Sequence, residues 1–181
     1  MKIGSWNIRG FRADNKKCMI KDIIRAERLD FIGLMETKHT EVTQWDLHKC
    51  WGQIRSDYPH VTASKNSEGL IATWRQDSFT LSNSFATSRW WCLTGTFQQI
   101  QIQCAVCILY APNEHSERLK IWDQLRSMRA TVGLPCRIMG DFNEIMEPKE
   151  RRNAVGYTQG MRELQNLILD LDLVDMDIGQ K

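Results

Sequence analysis

The chain is 181 residues long, 42% hydrophobic and 25% charged, with a formal net charge of only +2. That length suits one domain, spanning residues 1–181, with a sizeable core, and the composition is ordinary for a soluble globular protein. So small a charge leaves only a weak bulk electrostatic argument for nucleic acid, and any basic surface must be local.

The opening Met1-Lys2-Ile3-Gly4-Ser5-Trp6 has no apolar run long enough for a signal peptide or a membrane span, and it reads as a strand over Lys2–Trp6. A nuclear or cytoplasmic location with no membrane partner is expected. Six cysteines without a secretory signal suggest reduced thiols. Lys17–Arg28 has the apolar spacing of an amphipathic helix, through Ile20, Ile23 and Ile24, and Phe31–Met35 is a short apolar strand. Val42–Trp51 reads as a second helix. His48-x-Cys50 within it has no partner pair at zinc-finger spacing.

Leu70–Trp74, Phe79–Phe85, Trp90–Phe97 and Ile100–Tyr110 then read as successive strands, antiparallel neighbours joined by short turns. In the last of these, Ile100, Ile102 and Cys104 alternate with glutamines, the pattern of a strand with one wet face. Cys104-x-x-Cys107 matches a redox or zinc spacing, but an odd offset on a strand sends the two side chains to opposite faces. Buried structural thiols are the favoured reading. Adjacent Trp90 and Trp91 face opposite ways for the same reason, so at least one packs in the core while the other could stack on a base.

Glu114–Met128 returns to helix, with Asn113 as N-cap and Leu119, Trp122, Leu125 and Met128 on one face. Arg137–Gly140 is a strand. Met161–Leu171 is a helix with Met161, Leu164, Leu167, Ile168 and Leu171 inward, and Val174–Met176 looks like the start of another strand. Strands and helices in this order fit mixed sheets covered by helices better than a purely parallel wound sheet.

Four of these strands run into a polar residue: Asn7, Glu36, Tyr110 and Asp141, the last followed by Asn143. Ligands gather beyond the carboxyl ends of strands in helix-covered sheets. Glu36, Asp141, Asn7 and Asn143 would present only oxygen donors, which suits Mg²⁺, with Mn²⁺ as an alternative. Such a set can support metal-assisted cleavage of a phosphoester.

Ser5-Trp6-Asn7-Ile8-Arg9-Gly10, Met35-Glu36-Thr37-Lys38, Leu109-Tyr110-Ala111-Pro112-Asn113 and Met139-Gly140-Asp141-Phe142-Asn143 together resemble the endonuclease/exonuclease/phosphatase (DNase I-like) superfamily. One such motif would be weak; four in order, each behind a strand, are strong, and the resemblance runs from Lys2 to the Leu173-Val174-Asp175 region. Gly10-Phe11 and Glu36-Thr37-Lys38 look most like LINE-type retrotransposon endonucleases. The resemblance implies a four-layer α/β sandwich of two mixed sheets flanked by helices. It implies a Mg²⁺-dependent phosphodiesterase that nicks DNA and needs no small-molecule cofactor. By the same resemblance Glu36 is the main metal ligand with Asn7 close by, Tyr110 meets the scissile phosphate or leaving oxygen, Asp141 orients the attacking water, and Asn143 holds the phosphate. Phosphoinositide phosphatase, sphingomyelinase, deadenylase and abasic-site nuclease activities stay open, because substrate choice lives in loops between the motifs.

Relatives of this kind close with a further strand pair and a Ser-Asp-His motif. Here no histidine follows Asn143; His39, His48, His60 and His115 all precede it. The expectation is a C-terminally truncated domain lacking its last strands, with an open sheet edge and with activity reduced by the ~10²–10⁴-fold that acid–base assistance contributes. The alternative is a catalytically dead remnant that at most binds metal or nucleic acid. Arg9, Lys38, Lys149, Arg151 and Arg152 are the candidate contacts to DNA phosphates, against the equally weighted reading of solvated loops. Arg12, Lys16 and Lys17 extend the cluster that follows Asn7. Asp170, Asp172, Asp175 and Asp177 lack a metal-loop pattern and read as solvated charges.

Overall fold

A computed structural model of the chain describes residues 1–38, 42–52, 60–62, 69–152 and 156–176. It falls into two compact units, Met1–Tyr110 with Leu134–Asp141, and Ala111–Gly133 with Phe142–Lys181.

The first unit holds two four-stranded mixed sheets. In one, β1 (Ile3–Asn7) runs parallel to β2 (Phe31–Met35), and β4 (Ile71–Trp74) lies antiparallel between β2 and the short β3 (His60–Thr62). In the other, β5 (Phe79–Ala86), β6 (Trp90–Phe97) and β7 (Ile102–Tyr110) form an antiparallel meander, and β8 (Cys136–Asp141) joins β7 in parallel. Of the antiparallel neighbours expected from the sequence, β5, β6 and β7 do pair in succession, but Leu70–Trp74 does not pair with Phe79–Phe85. Instead β4 pairs with β2 and β3 in the other sheet, because the chain crosses between sheets at that turn.

Strand parity explains how the sheets stack. All five residues of β2 are buried, because the strand is covered on both faces. Phe31 and Met35 enter a cluster with Ala72 and Trp74 of β4, Phe79 of β5, Trp91, Leu93 and Phe97 of β6, and Val106 and Ile108 of β7. This is the core between the sheets. Phe31 stacks on Trp74 at 5.5 Å between ring centroids and meets Phe79 edge-on at 5.7 Å. Burying one such ring contributes roughly 1.5–3 kcal/mol. Gly33 lets the sheets approach, since a Cβ there would lie 2.8 Å from Ile108.

The alternate residues Ile32 and Leu34 face the helices. They pack with Ile20 and Ile24 of α1 (Asp14–Glu27), and with Leu47, Cys50 and Trp51 of α2 (Gln44–Trp51). Thr43 caps α2, its hydroxyl accepting from the Asp46 amide while Asp46 accepts from the Thr43 amide.

The second unit holds α3 (His115–Thr131), a 3-10 turn over Pro148–Glu150, and α4 (Gln159–Asp170). α3 differs from expectation in two ways. Its N-cap is Glu114 rather than Asn113, with no side-chain cap, and its inward face takes in Arg118 while Leu119 is only half-buried. The strand expected at Val174–Met176 is absent: these residues are irregular, with Val174 86% exposed. Ile168 of α4 is half-buried rather than fully inward. In β7 the expected wet face is wider than foreseen, because Ile100 precedes the strand and Ile102 is itself exposed. His39 and Asp177 lie outside the described residues. Among the described residues no helix is long and apolar enough to cross a membrane.

Candidate active site

The two parallel pairs, β1 with β2 and β7 with β8, end at one rim of the first unit. Asn7 closes β1 and lies in register with Met35, so Glu36 is the next residue beyond the partner strand. Tyr110 and Asp141 are register partners at the ends of β7 and β8. Ile3 two pleats before Asn7, Tyr110 itself, and Met139 before Asp141 all pack on the inter-sheet core, so this face leads directly into the rim.

There the side chains meet. Asn7 Nδ2 donates to Glu36 Oε1 at 2.7 Å and to Asp141 Oδ2 at 3.1 Å. The Asn7 hydrogen bond is the main reason the Glu36 carboxyl sits below its ordinary range. Burial pushes the other way, and a Tyr110 hydrogen bond with the nearby charges of Arg9 and Lys38 lowers it further. Glu36 is thus held as a carboxylate. Asn7 Oδ1 is buried and has no hydrogen-bond partner among the described residues.

The loops that present these groups are strained. Non-glycine residues with positive φ include Arg9 (48°), Glu36 (52°), Lys38 (51°) and Asn143 (48°), four positions singled out from sequence. At Arg9, Glu36 and Lys38 such conformations cost about 1 kcal/mol or more each and persist only when neighbours enforce them, whereas asparagine adopts them more readily. Here the loop after β1 bonds to the loop after β2: Gly10 N reaches Glu36 O at 2.7 Å and Phe11 N reaches Thr37 O at 2.9 Å. Thr37 N in turn donates to Gly69 O at 3.0 Å. Gly69 must stay a glycine, because a Cβ would sit 2.2 Å from Thr37 Oγ1. Gly140 is equally constrained, with φ of 140°, and a Cβ there would lie only 1.9 Å from Leu109 O.

Of the sequence candidates, Asn7, Glu36, Tyr110 and Asp141 come together. Arg9 and Lys38 are exposed beside Glu36 and act on it through their charge. Asn143 belongs to the second unit, where its Nδ2 donates to Ala111 O at 2.6 Å. Lys149, Arg151 and Arg152 are exposed in and after the 3-10 turn of that unit; Lys149 pairs with Glu147 at 2.6 Å, and Arg151 lies 3.9 Å from Glu144. Trp90 and Trp91 are both buried, so neither ring is presented for stacking: Trp91 joins the inter-sheet core and Trp90 packs edge-on against Phe85. Cys104 and Cys107 are free thiols pushed up by burial, Cys107 fully inside, which suits packing rather than redox or zinc chemistry. Sequence reasoning missed Arg89, whose guanidinium lies 5.8 Å from the Tyr110 ring centroid and whose carbonyl accepts from Tyr110 N. Its neighbours Ser88 and Trp90 gave no signal that a turn cation would lie beside the third strand end, at Tyr110.

A divalent cation fits the donors present. Among the described residues no group of three His, Cys, Asp or Glu side chains gathers as a metal site. Two carboxylates and an orphaned amide oxygen are nevertheless what Mg²⁺ uses, since it keeps several waters and takes one or two protein carboxylates.

The model of the Endonuclease/Exonuclease/phosphatase family matches residues 4–170. The chain belongs to this family. Membership places it among hydrolytic nucleases and phosphatases, which generally use divalent metals. An exodeoxyribonuclease of Bacillus subtilis (strain 168) is 23% identical over 97% of this chain and 73% of its own length. The fold is shared with the human Nocturnin catalytic domain (TM-score 0.54, 20% identity, 77% of this chain), and with a mannosyl-6-phosphatase of Bacteroides thetaiotaomicron (TM-score 0.60, 11% identity, 91% of this chain and 69% of that one). A truncated TDP2 of Caenorhabditis elegans also matches, with a TM-score of 0.56 and 14% identity over 84% of this chain. The chain spans 62% of the Nocturnin domain and 64% of that TDP2. These neighbours have in common the α/β fold of two mixed sheets flanked by helices.

Proposed function

We propose that this family member is a Mg²⁺-dependent phosphodiesterase that nicks DNA in the manner of a retrotransposon endonuclease. The observation that carries this reading is the Asn7 amide bridging Glu36 and Asp141 with its own oxygen left unpaired. Glu36, with Asn7, holds the cation, and Mn²⁺ can substitute for Mg²⁺. When bound, the ion neutralises charge on the phosphate. Asp141 orients the attacking water, Tyr110 hydrogen-bonds the scissile phosphate or leaving oxygen, and Asn143 holds the phosphate. Arg9 and Lys38 at the rim, with Lys149, Arg151 and Arg152, contact DNA phosphates outside the reacting centre.

The similarity to a B. subtilis exodeoxyribonuclease favours nucleic acid over sugar phosphate as substrate. The test is a panel of supercoiled plasmid, RNA, phospholipid and sugar phosphate with Mg²⁺ or Mn²⁺. The expected result is conversion of plasmid to nicked circles, abolished by chelation and by Glu36→Ala. Turnover confined to a phospholipid or sugar phosphate, plasmid cleavage indifferent to Glu36→Ala, or no turnover of any substrate would overturn it.

A further inference from the structure

Arg118 is a buried charge on α3, 8% exposed, in a helix whose other buried residues are apolar. A buried guanidinium persists only when its donors are taken. Its Nη1 donates to Pro112 O at 3.3 Å and Asn113 O at 2.5 Å, and its Nη2 reaches Glu144 Oε2 at 3.0 Å. The Glu144 side chain is equally hidden, and its other oxygen accepts from Ile145 N at 3.1 Å. Gly160 at the start of α4 leaves the room, since a Cβ there would lie 2.1 Å from Glu144 Oε2.

The carbonyl of Ala111 is taken by Asn143 Nδ2 at 2.6 Å. All three successive carbonyls of the segment that continues from Tyr110 thus accept from side chains: Ala111 from Asn143, Pro112 and Asn113 from Arg118. Asn143 itself sits at φ 48°, a left-handed conformation that asparagine adopts more readily than most residues, and Glu144 is the next residue. We infer that Arg118 and Glu144 are a buried positioning pair, which stitches the segment after Tyr110 to the segment after Asp141 and so fixes the side chain of Asn143. The inference rests on the phosphate-holding role proposed for Asn143. The planar fork of arginine suits it, because one guanidinium spans two carbonyls and a carboxylate at once, which a lysine cannot do.

The test uses Arg118→Lys and Glu144→Gln, with folding checked by circular dichroism and thermal unfolding. Plasmid nicking with Mg²⁺ is expected to lose ~10- to 100-fold in kcat, with KM held within about threefold, the signature of a group acting on the transition state. In an Asn143→Ala background the Arg118→Lys change should cost little more, because both act through one side chain. Independently of turnover, exchange of the Asn143 side-chain amide protons followed by NMR should be slow in the wild type and fast in both variants. Folded variants with unchanged kcat and unchanged amide exchange would overturn the inference. An inert wild type would sink the phosphodiesterase reading instead, while the exchange measurement on the same protein would still decide the stitch.

Discussion

Asn7 donates a 2.7 Å hydrogen bond to Glu36 although the two are 29 residues apart, because parallel strands deliver both to the same rim. The same nitrogen reaches Asp141 from the other sheet. Asn7→Ala removes a donor that links the two carboxylates. Its kcat for plasmid nicking is expected to fall by ~10²–10³, the usual cost of one preorganised polar group. Steady-state kinetics on a variant with an unchanged melting curve check this; a loss under about threefold would remove Asn7 from the machinery.

Cation binding is expected to be separable from turnover. Calorimetric titration of Mg²⁺ into the wild type should give a binding heat that Glu36→Ala lacks. Equal isotherms for the two proteins would place the ion elsewhere.

Gly140→Ala should be among the most damaging small changes in the chain. The position has φ of 140°, and a methyl there would collide with Leu109 O in the strand that carries Tyr110. A loss on the order of 3 kcal/mol or more follows from backbone strain and clash together. Denaturant unfolding measures it, and a loss below about 1 kcal/mol would contradict the strand geometry.

Lys17 and Asp46 give a pH dependence. Burial alone would raise the Asp46 carboxyl. The buried Lys17 ammonium at 2.7 Å and the Thr43 amide and hydroxyl outweigh it and hold the group at about 2, from an ordinary 3.8. A lowered carboxylate stabilises the fold fully above its unfolded value, and that stability drains away as pH falls through the folded one. Between about pH 5 and pH 2 the wild type should therefore lose on the order of 2 kcal/mol that Asp46→Asn has already lost. Parallel stability curves for the two proteins over that range would refute the pair's contribution.

Thiol accessibility offers a test of the packing. Cys18 is exposed, whereas Cys50 and Cys92 are buried with thiols pushed up to about 12, and Cys107 is pushed well above its ordinary value. A thiolate-directed reagent at neutral pH should label Cys18 rapidly and leave those three untouched until the chain unfolds. Fast labelling of Cys107 in the native state would show that β7 is not covered as described.

Much of this protein was legible in its residues. The run Phe31–Met35 read as a short apolar strand, and its bounds match the structure, which adds that it is buried on both faces. Lys17–Arg28 and Met161–Leu171 read as helices from apolar spacing, though each begins two or three residues earlier, where caps and polar first turns carry no periodicity. β3 went unread because three residues are too few for alternation to register. Val174–Met176 read as a strand from its apolar residues, but local pattern cannot tell whether a pairing partner exists.

The sequence by itself determined the alternation of strands and helices, and the four polar residues that end them, because side-chain periodicity and turn chemistry are local. Only tertiary structure decided that Asn7 bridges Glu36 and Asp141, that Glu36 sits at a left-handed backbone angle, and that Arg118 is inside rather than in water. Those outcomes depend on groups far apart in the chain arriving within about 3 Å of one another. Hydrogen bonding and desolvation act on that distance, whatever the separation in sequence.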